Sequence, residues 1–207
     1  MEIMDDQPIS ATFFNEGKWL TEFVTPDNLE VQAKYEEITA GLVTLEEKLI
    51  ACRDYVANFP YRKFLSGTLN INGHISQQHD LWADPSTVIR VGVGNCSNKS
   101  FLLTSLLRNV LSPNQVHTVL GNLYNGKPGG HAWVQVKLDD DYIMESTQPN
   151  VPPLVPVSAT QRYEAIHLFN DQSLYTIPGK TVMKPYTACF SPWLEDYLDF
   201  AYIEGRK

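Results

Sequence analysis

The sequence has no run of about 18 apolar residues, the length a helix needs to cross a bilayer. Its start, Met1-Glu2-Ile3-Met4-Asp5-Asp6, is acidic and lacks the apolar core of an export signal. A membrane-spanning or exported chain is therefore not expected, and a cytoplasmic one is. Cysteine is scarce: Cys52, Cys96 and Cys189 are an odd set of three with no paired spacing. That excludes a disulfide framework and a CxxC zinc site and leaves reduced thiols as the expectation. Basic charge is also short, with 16 Lys+Arg against 24 Asp+Glu, a formal net charge of -8 and a pI near 5.0. Without a basic stripe, neither nucleic acid nor an anionic membrane is an expected partner. Internal repeats and low-complexity segments are missing too, so 207 residues with 43% hydrophobic content read as one domain, residues 1–207, able to bury a core.

What is present centres on residues 91–110. Gly92 and Gly94 supply a loop that another element can approach closely, and Asn95 is a favoured N-cap, so Cys96 falls near the first helical position. Leu103, Leu106, Leu107 and Val110 recur at helical spacing with Phe101 and Leu102 beside them, which is too apolar for a surface helix and predicts a core helix. Ser112-Pro113-Asn114 marks its end. A thiol at that helix start meets unpaired N–H groups and the positive end of the dipole, both of which favour the thiolate. Position alone leaves the alternative open, because free cysteine is among the most buried residue types and packs as a small hydrophobe.

Upstream, residues 1–26 read as an irregular lead-in whose Phe13, Phe14, Trp19 and Phe23 pack on the domain. Residues 27–40 read as a helix after Pro26, stopped at Gly41. Thr44-Leu45-Glu46-Glu47 is a capping box that opens a second helix through Phe59, with Leu45, Leu49, Cys52, Val56 and Phe59 on its apolar face. Residues 61–90 are polar and glycine-bearing and are expected as a long ordered loop. Downstream the period changes to two. Residues 116–124, 131–138 and 142–147 read as an antiparallel meander, joined by residues 125–130 and by the acidic turn Asp139-Asp140-Asp141. Prolines at 149, 152, 153 and 156 form a stiff crossing, followed by strands over 162–169 and 173–178 and a short amphipathic piece over 193–203.

Within the meander, alternation puts Ala132, Val134, Val136 and Leu138 on one face and His131, Trp133 and Gln135 on the other, with His131 expected at the strand start. A tight turn at 139–141 returns the next strand beside it, where the carboxylate of Glu145 can accept an imidazole N–H. Singly, His131 reads as a structural histidine and Glu145 as a solvated strand residue. Together with Cys96 they come in the order that a thiol nucleophile, a general base and an orienting acid require.

Three pieces carry a family resemblance: Gly-Val-Gly-Asn-Cys96-Ser-Asn-Lys-Ser with Leu-Leu-Arg at 106–108, Gly-His131-Ala-Trp-Val-Gln-Val, and Glu145-Ser-Thr-Gln-Pro. In this order and spacing the chain resembles the transglutaminase-like superfamily of papain-like thiol enzymes, over residues 44–149. The resemblance implies an α+β papain-like/transglutaminase-core fold, with a helical lobe that places the nucleophile at a helix N-terminus and packs on an antiparallel β-sheet. Residues 1–43 would be an N-terminal extension, 44–149 the motif-bearing core, and 150–207 strands and a short helix packed on it. It also implies a Cys96-His131-Glu145 triad, with Glu145 where an aspartate is usual, attacking a peptide or protein amide through an acyl-thioester. Gln77, Gln78, Trp82, Asn95 and Trp133 are candidates for the oxyanion donor or the substrate groove. Water as second nucleophile gives a cysteine protease or amidase, and an amine acceptor gives a transglutaminase-type acyltransferase. No cofactor is called for, and no metal, since the cysteine and histidine lack a zinc-ligand set. The alternative from a different class is an inactive transglutaminase-like fold serving as a protein-binding or assembly module.

Overall fold

Asn28 and Thr44 start the helical lobe, each with a side chain that accepts the N–H groups a helix start leaves unpaired. The computed structural model describes residues 2–3, 20–61, 67–71, 74–78, 80–125, 127–180 and 188–189. Phe13, Phe14, Trp19 and the expected piece over 193–203 lie outside them. After a 3-10 turn at Leu20–Phe23 comes α1 (Leu29–Thr39), capped by Asn28. Helix α2 (Leu45–Ala57) opens under the full Thr44–Glu47 capping box. The expected apolar face forms in its middle, where Leu49, Cys52 and Val56 are fully buried, with Phe59 partly buried beyond the helix end at Ala57; Leu45, in the first turn, is exposed instead.

The region expected as a loop is structured. Strands β2 (Gly67–Ile71) and β3 (His74–Gln78) pair as an antiparallel ribbon, β1 (Glu2–Ile3) and β4 (Asp80–Leu81) are short, and α3 spans Pro85–Val91. Helix α3 forms because Pro85 sits at its first turn, where fixed φ and a missing N–H cost nothing, and Gly92 ends it at φ 65°. Pro85 is thus a helix starter. Helix α4 (Cys96–Leu107) follows under an Asn95 cap and stops short of Val110, tightening into a turn in which Leu111 N–H donates to the Leu107 carbonyl at 2.8 Å. All twelve of its residues are buried, polar ones included.

Those polar residues fasten the helix to its surroundings. Thr104 and Thr118 hydroxyls bond at 2.7 Å, Ser100 and Ser146 at 2.9 Å, and Thr25 N–H donates to Ser105 Oγ at 2.9 Å. The sheet comprises β1, β5 (Val116–Asn125), β6 (Lys127–Lys137), β7 (Asp141–Met144), β8 (Val155–Pro156), β9 (Tyr163–Phe169) and β10 (Leu174–Thr176), antiparallel in the order β1-β10-β9-β5-β6-β7-β8. A short β11 (Ala188–Cys189) pairs in parallel with β4. Val134, Val136 and Met144 meet Leu102, Leu103 and Leu106 of α4 on the inner face, while Val119, Trp133, Ile143 and Leu168 form the outer-face cluster. The expected alternation along β6 therefore holds. Residues 127–130, expected as loop, extend β6 because their backbones keep the ladder with Asn122–Asn125 of β5. Among the described residues, no helix is long and apolar enough to cross a membrane.

Candidate active site

That longer β6 moves His131 from the expected strand start to the strand interior, opposite Gly121 of β5. The β5–β9 register shifts between Leu120 and Gly121. A Cβ on Gly121 would stand 2.1 Å from the Glu164 carbonyl and 2.6 Å from the Trp133 ring. Only glycine lets the Glu164 backbone and the Trp133 ring close on β5 here, and that closeness fixes the sheet beside His131.

His131 Nε2 lies 3.0 Å from Glu145 Oε2. Glu145 follows directly on β7, is 1% exposed, and has every acceptor position engaged. Tyr163 Oη donates to Oε2 at 3.0 Å; Thr147 N–H and Oγ1 donate to Oε1 at 3.0 and 2.7 Å. Burial pushes the Glu145 carboxyl upward, but the hydrogen bonds and charge of His131 and the Thr147 donors outweigh it, and the net shift is downward. An ionised Glu145 makes Nε2 the donor and leaves Nδ1 as the nitrogen available to Cys96. Burial would lower the His131 pKa, yet side-chain hydrogen bonding to Cys96 and to Glu145, with their charges, raises it from 6.5 to about 10. An imidazolium held between a carboxylate and a thiol is the charge arrangement that base-assisted thiol attack uses.

Cys96 opens α4 as expected and is 7% exposed, in an apolar cluster with Trp82, Phe101 and Ala132. Trp82 packs edge-on to Phe23 and Phe101, at 5.5 and 5.0 Å. It shares the apolar cluster of Cys96, and the next residue is anchored by Ala83 N–H donating to Asn98 Oδ1 at 3.0 Å. Asn95 spends its side chain on the cap, accepting Asn98 N–H at 3.0 Å. Trp133 is 1% exposed on the outer face of the sheet, stacked beneath His131 at 6.2 Å, so it floors the site and lines no groove. Gln77 and Gln78 fall in β3; their side chains lie outside the described residues. Cys52 is sealed in the helical lobe, where burial pushes its thiol up to about 12.

Tyr163 and Thr147 complete the Glu145 environment, and the sequence reading assigns neither a role. Thr147 stands two residues from Glu145 in the quoted motif and was legible as an ST-type partner. Tyr163 comes from β9, across the sheet, and no local pattern points to it. Among the described residues no group of three or more His, Cys, Asp or Glu side chains could hold a metal ion.

The transglutaminase-like superfamily model matches residues 32–144, more than half of the chain, including Cys96 and His131 and stopping one residue short of Glu145. Among solved structures, the calcium-bound LapG of Legionella pneumophila is similar at a TM-score of 0.54 and 14% identity, over 86% of this chain and 90% of that one. The EGTA-treated LapG of the same organism gives 0.55 and 16%, over 84% and 88%. At such identities the likeness is one of fold. No curated protein sequence matches the chain.

Proposed function

The chain belongs to the transglutaminase-like superfamily, and within it we propose a thiol-dependent hydrolase of protein or peptide amide bonds. The observation that carries this reading is the buried Glu145 carboxylate, bonded to His131 Nε2 while the other side of the ring faces the helix-start thiol. In the proposed reaction Cys96 Sγ adds to the amide carbonyl, and the Cys96 N–H, which the Asn95 cap does not take, steadies the oxyanion. His131 gives the thiol-derived proton to the leaving amine as the C–N bond breaks, forming the acyl-thioester. Water then attacks with His131 taking its proton, and the acid departs as Cys96 is restored. An amine in place of water would make the same intermediate a transferase substrate. A compartment that keeps thiols reduced suits this chemistry, and we place the chain in the cytoplasm on that ground.

The inactive-module reading draws on one observation, the 7% exposure of Cys96: a substrate carbonyl reaches the sulfur only if neighbouring chain moves. Iodoacetamide labelling at pH 6 combined with peptide-substrate profiling separates the two. The hydrolase reading expects Cys96 to label much faster than Cys52 and turnover to vanish in Cys96→Ala. Equal, slow labelling of both thiols and no turnover would favour the module.

A further inference from the structure

We propose that Arg53 is a positioning residue for the candidate acid: its guanidinium grips the main chain at Glu145 and over the residues that follow it, and thereby holds the carboxylate against His131. The proposal rests on Glu145 being the partner of His131, and it concerns what keeps that partner in place.

Arg53 lies on α2 and is 2% exposed. All five of its N–H groups are engaged. Nε donates to the carbonyl of Glu145 itself at 3.1 Å. Nη2 donates to Gln148 O at 2.7 Å and Val151 O at 2.8 Å. Nη1 donates to Pro149 O at 3.2 Å and to the half-exposed Asp54 Oδ1 at 2.7 Å. Four of the five acceptors are thus main-chain carbonyls within residues 145–151. That segment leaves β7 and does not rejoin the sheet until Val155, so it lacks a ladder of its own over most of its length. Besides Arg53, the Ser100–Ser146 hydroxyl pair and the Thr147 bonds to Glu145 tie it down.

Burying a guanidinium costs several kcal/mol of solvation unless its donors are matched. Here they are matched by a planar fork of five donors, which lysine, with three donors on a point charge, cannot copy. A stem that only packed against the core would need none of this. The convergence of carbonyls on one cation is explained if the position of the segment matters, and the group the segment carries is the carboxylate facing His131. The charged and titratable groups around that pair are Cys96, Tyr163 and Lys99, with Asp54 on the far side of Arg53.

The test is the titration of the His131 ring, followed by NMR on the full chain, with thermal unfolding recorded for each variant. Glu145→Gln should lower the His131 pKa by about one unit or more, the usual effect of losing one close opposite charge. Arg53→Lys should lower it in the same direction by a smaller amount, and should add nothing in the Glu145→Gln background. Thr44→Ala loosens the start of α2, away from the 145–151 segment, and should keep the wild-type titration. A folded Arg53→Lys with an unshifted His131, or a Thr44→Ala that shifts it as much as Arg53→Lys does, overturns the proposal. The titration needs no turnover. A chain without hydrolytic activity but with these shifts would sink the hydrolase reading and keep this one, and an active chain with an unshifted Arg53→Lys would do the reverse.

Discussion

A carboxylate at 1% exposure stays ionised only where donors replace its water, and Glu145 has His131, Tyr163 and two from Thr147. The donors pull in different directions on catalysis. Glu145→Gln removes the charge that helps hold the proton on His131, whose pKa is raised to about 10 through Cys96 and Glu145. The alkaline limb of a kcat/KM profile should therefore move to lower pH, with rate loss smaller than the roughly 10³-fold or more expected for His131→Ala. Tyr163→Phe acts with the opposite sign. Its hydroxyl shares the Glu145 negative charge, so its loss leaves the carboxylate a stronger partner for imidazolium, and the alkaline limb should move upward. A downward shift in Tyr163→Phe would mean that Tyr163 chiefly holds Glu145 in place. Cys52→Ala, deep in the helical lobe, should leave the profile where it is.

At the scale of elements, the site depends on a helix start meeting a sheet at its tightest point. Gly121→Ala places a methyl where the Glu164 carbonyl would be 2.1 Å away, and overpacking of this kind costs about 1–3 kcal/mol. Because Gly121 pairs with His131, the β5–β9 strands must part beside the base, so Gly121→Ala should lose activity as well as stability. Thr44→Ala is the control: losing the cap should cost about 1 kcal/mol and leave kcat unchanged, since the capping box lies at the far end of α2 from Ala57. These elements also mark where the sequence was readable. The Thr44–Glu47 box, the Asn95 cap and the β6 alternation are local patterns, and local patterns survive folding. Helix α3 is hidden in the sequence because residues 61–90 are polar and glycine-bearing and read as loop, although Pro85 and Gly92 carry the start and stop signals of a short helix. The extension of β6 through two glycines depends on its partner strand, and the approach of Tyr163 to Glu145 depends on strand order. Neither is encoded within one segment.

At the scale of the molecule, two cations buried close to Glu145 set how stability varies with pH on the alkaline side. His131, raised from 6.5 to about 10, keeps its proton in the folded chain after the unfolded chain has released it. Its contribution is complete below pH 6.5 and is lost as pH rises toward 10. Lys99 is the reverse case. It is fully buried, with Nζ donating to the Ala57 and Phe59 carbonyls at 3.1 and 2.6 Å, and burial lowers its pKa from 10.5 to about 8 against a favourable charge from Glu145. Its buried charge is a cost below pH 8 that is relieved between 8 and 10.5, because there the unfolded chain binds the extra proton. Each group contributes a slope of at most about 1.4 kcal/mol per pH unit, so above pH 8 the Lys99 term offsets the decline due to His131. Lys99→Met removes the relief, and Glu145, the charged partner it leaves, stays ionised over pH 6 to 10 in both chains. The difference in unfolding free energy, Lys99→Met minus wild type, from urea titrations at pH 6, 7, 8, 9 and 10, should be flat up to about pH 8 and then turn against the variant. A difference that stays constant to pH 10 would mean that Lys99 keeps its proton in the folded chain, held by the two carbonyls at the end of α2 and by Glu145.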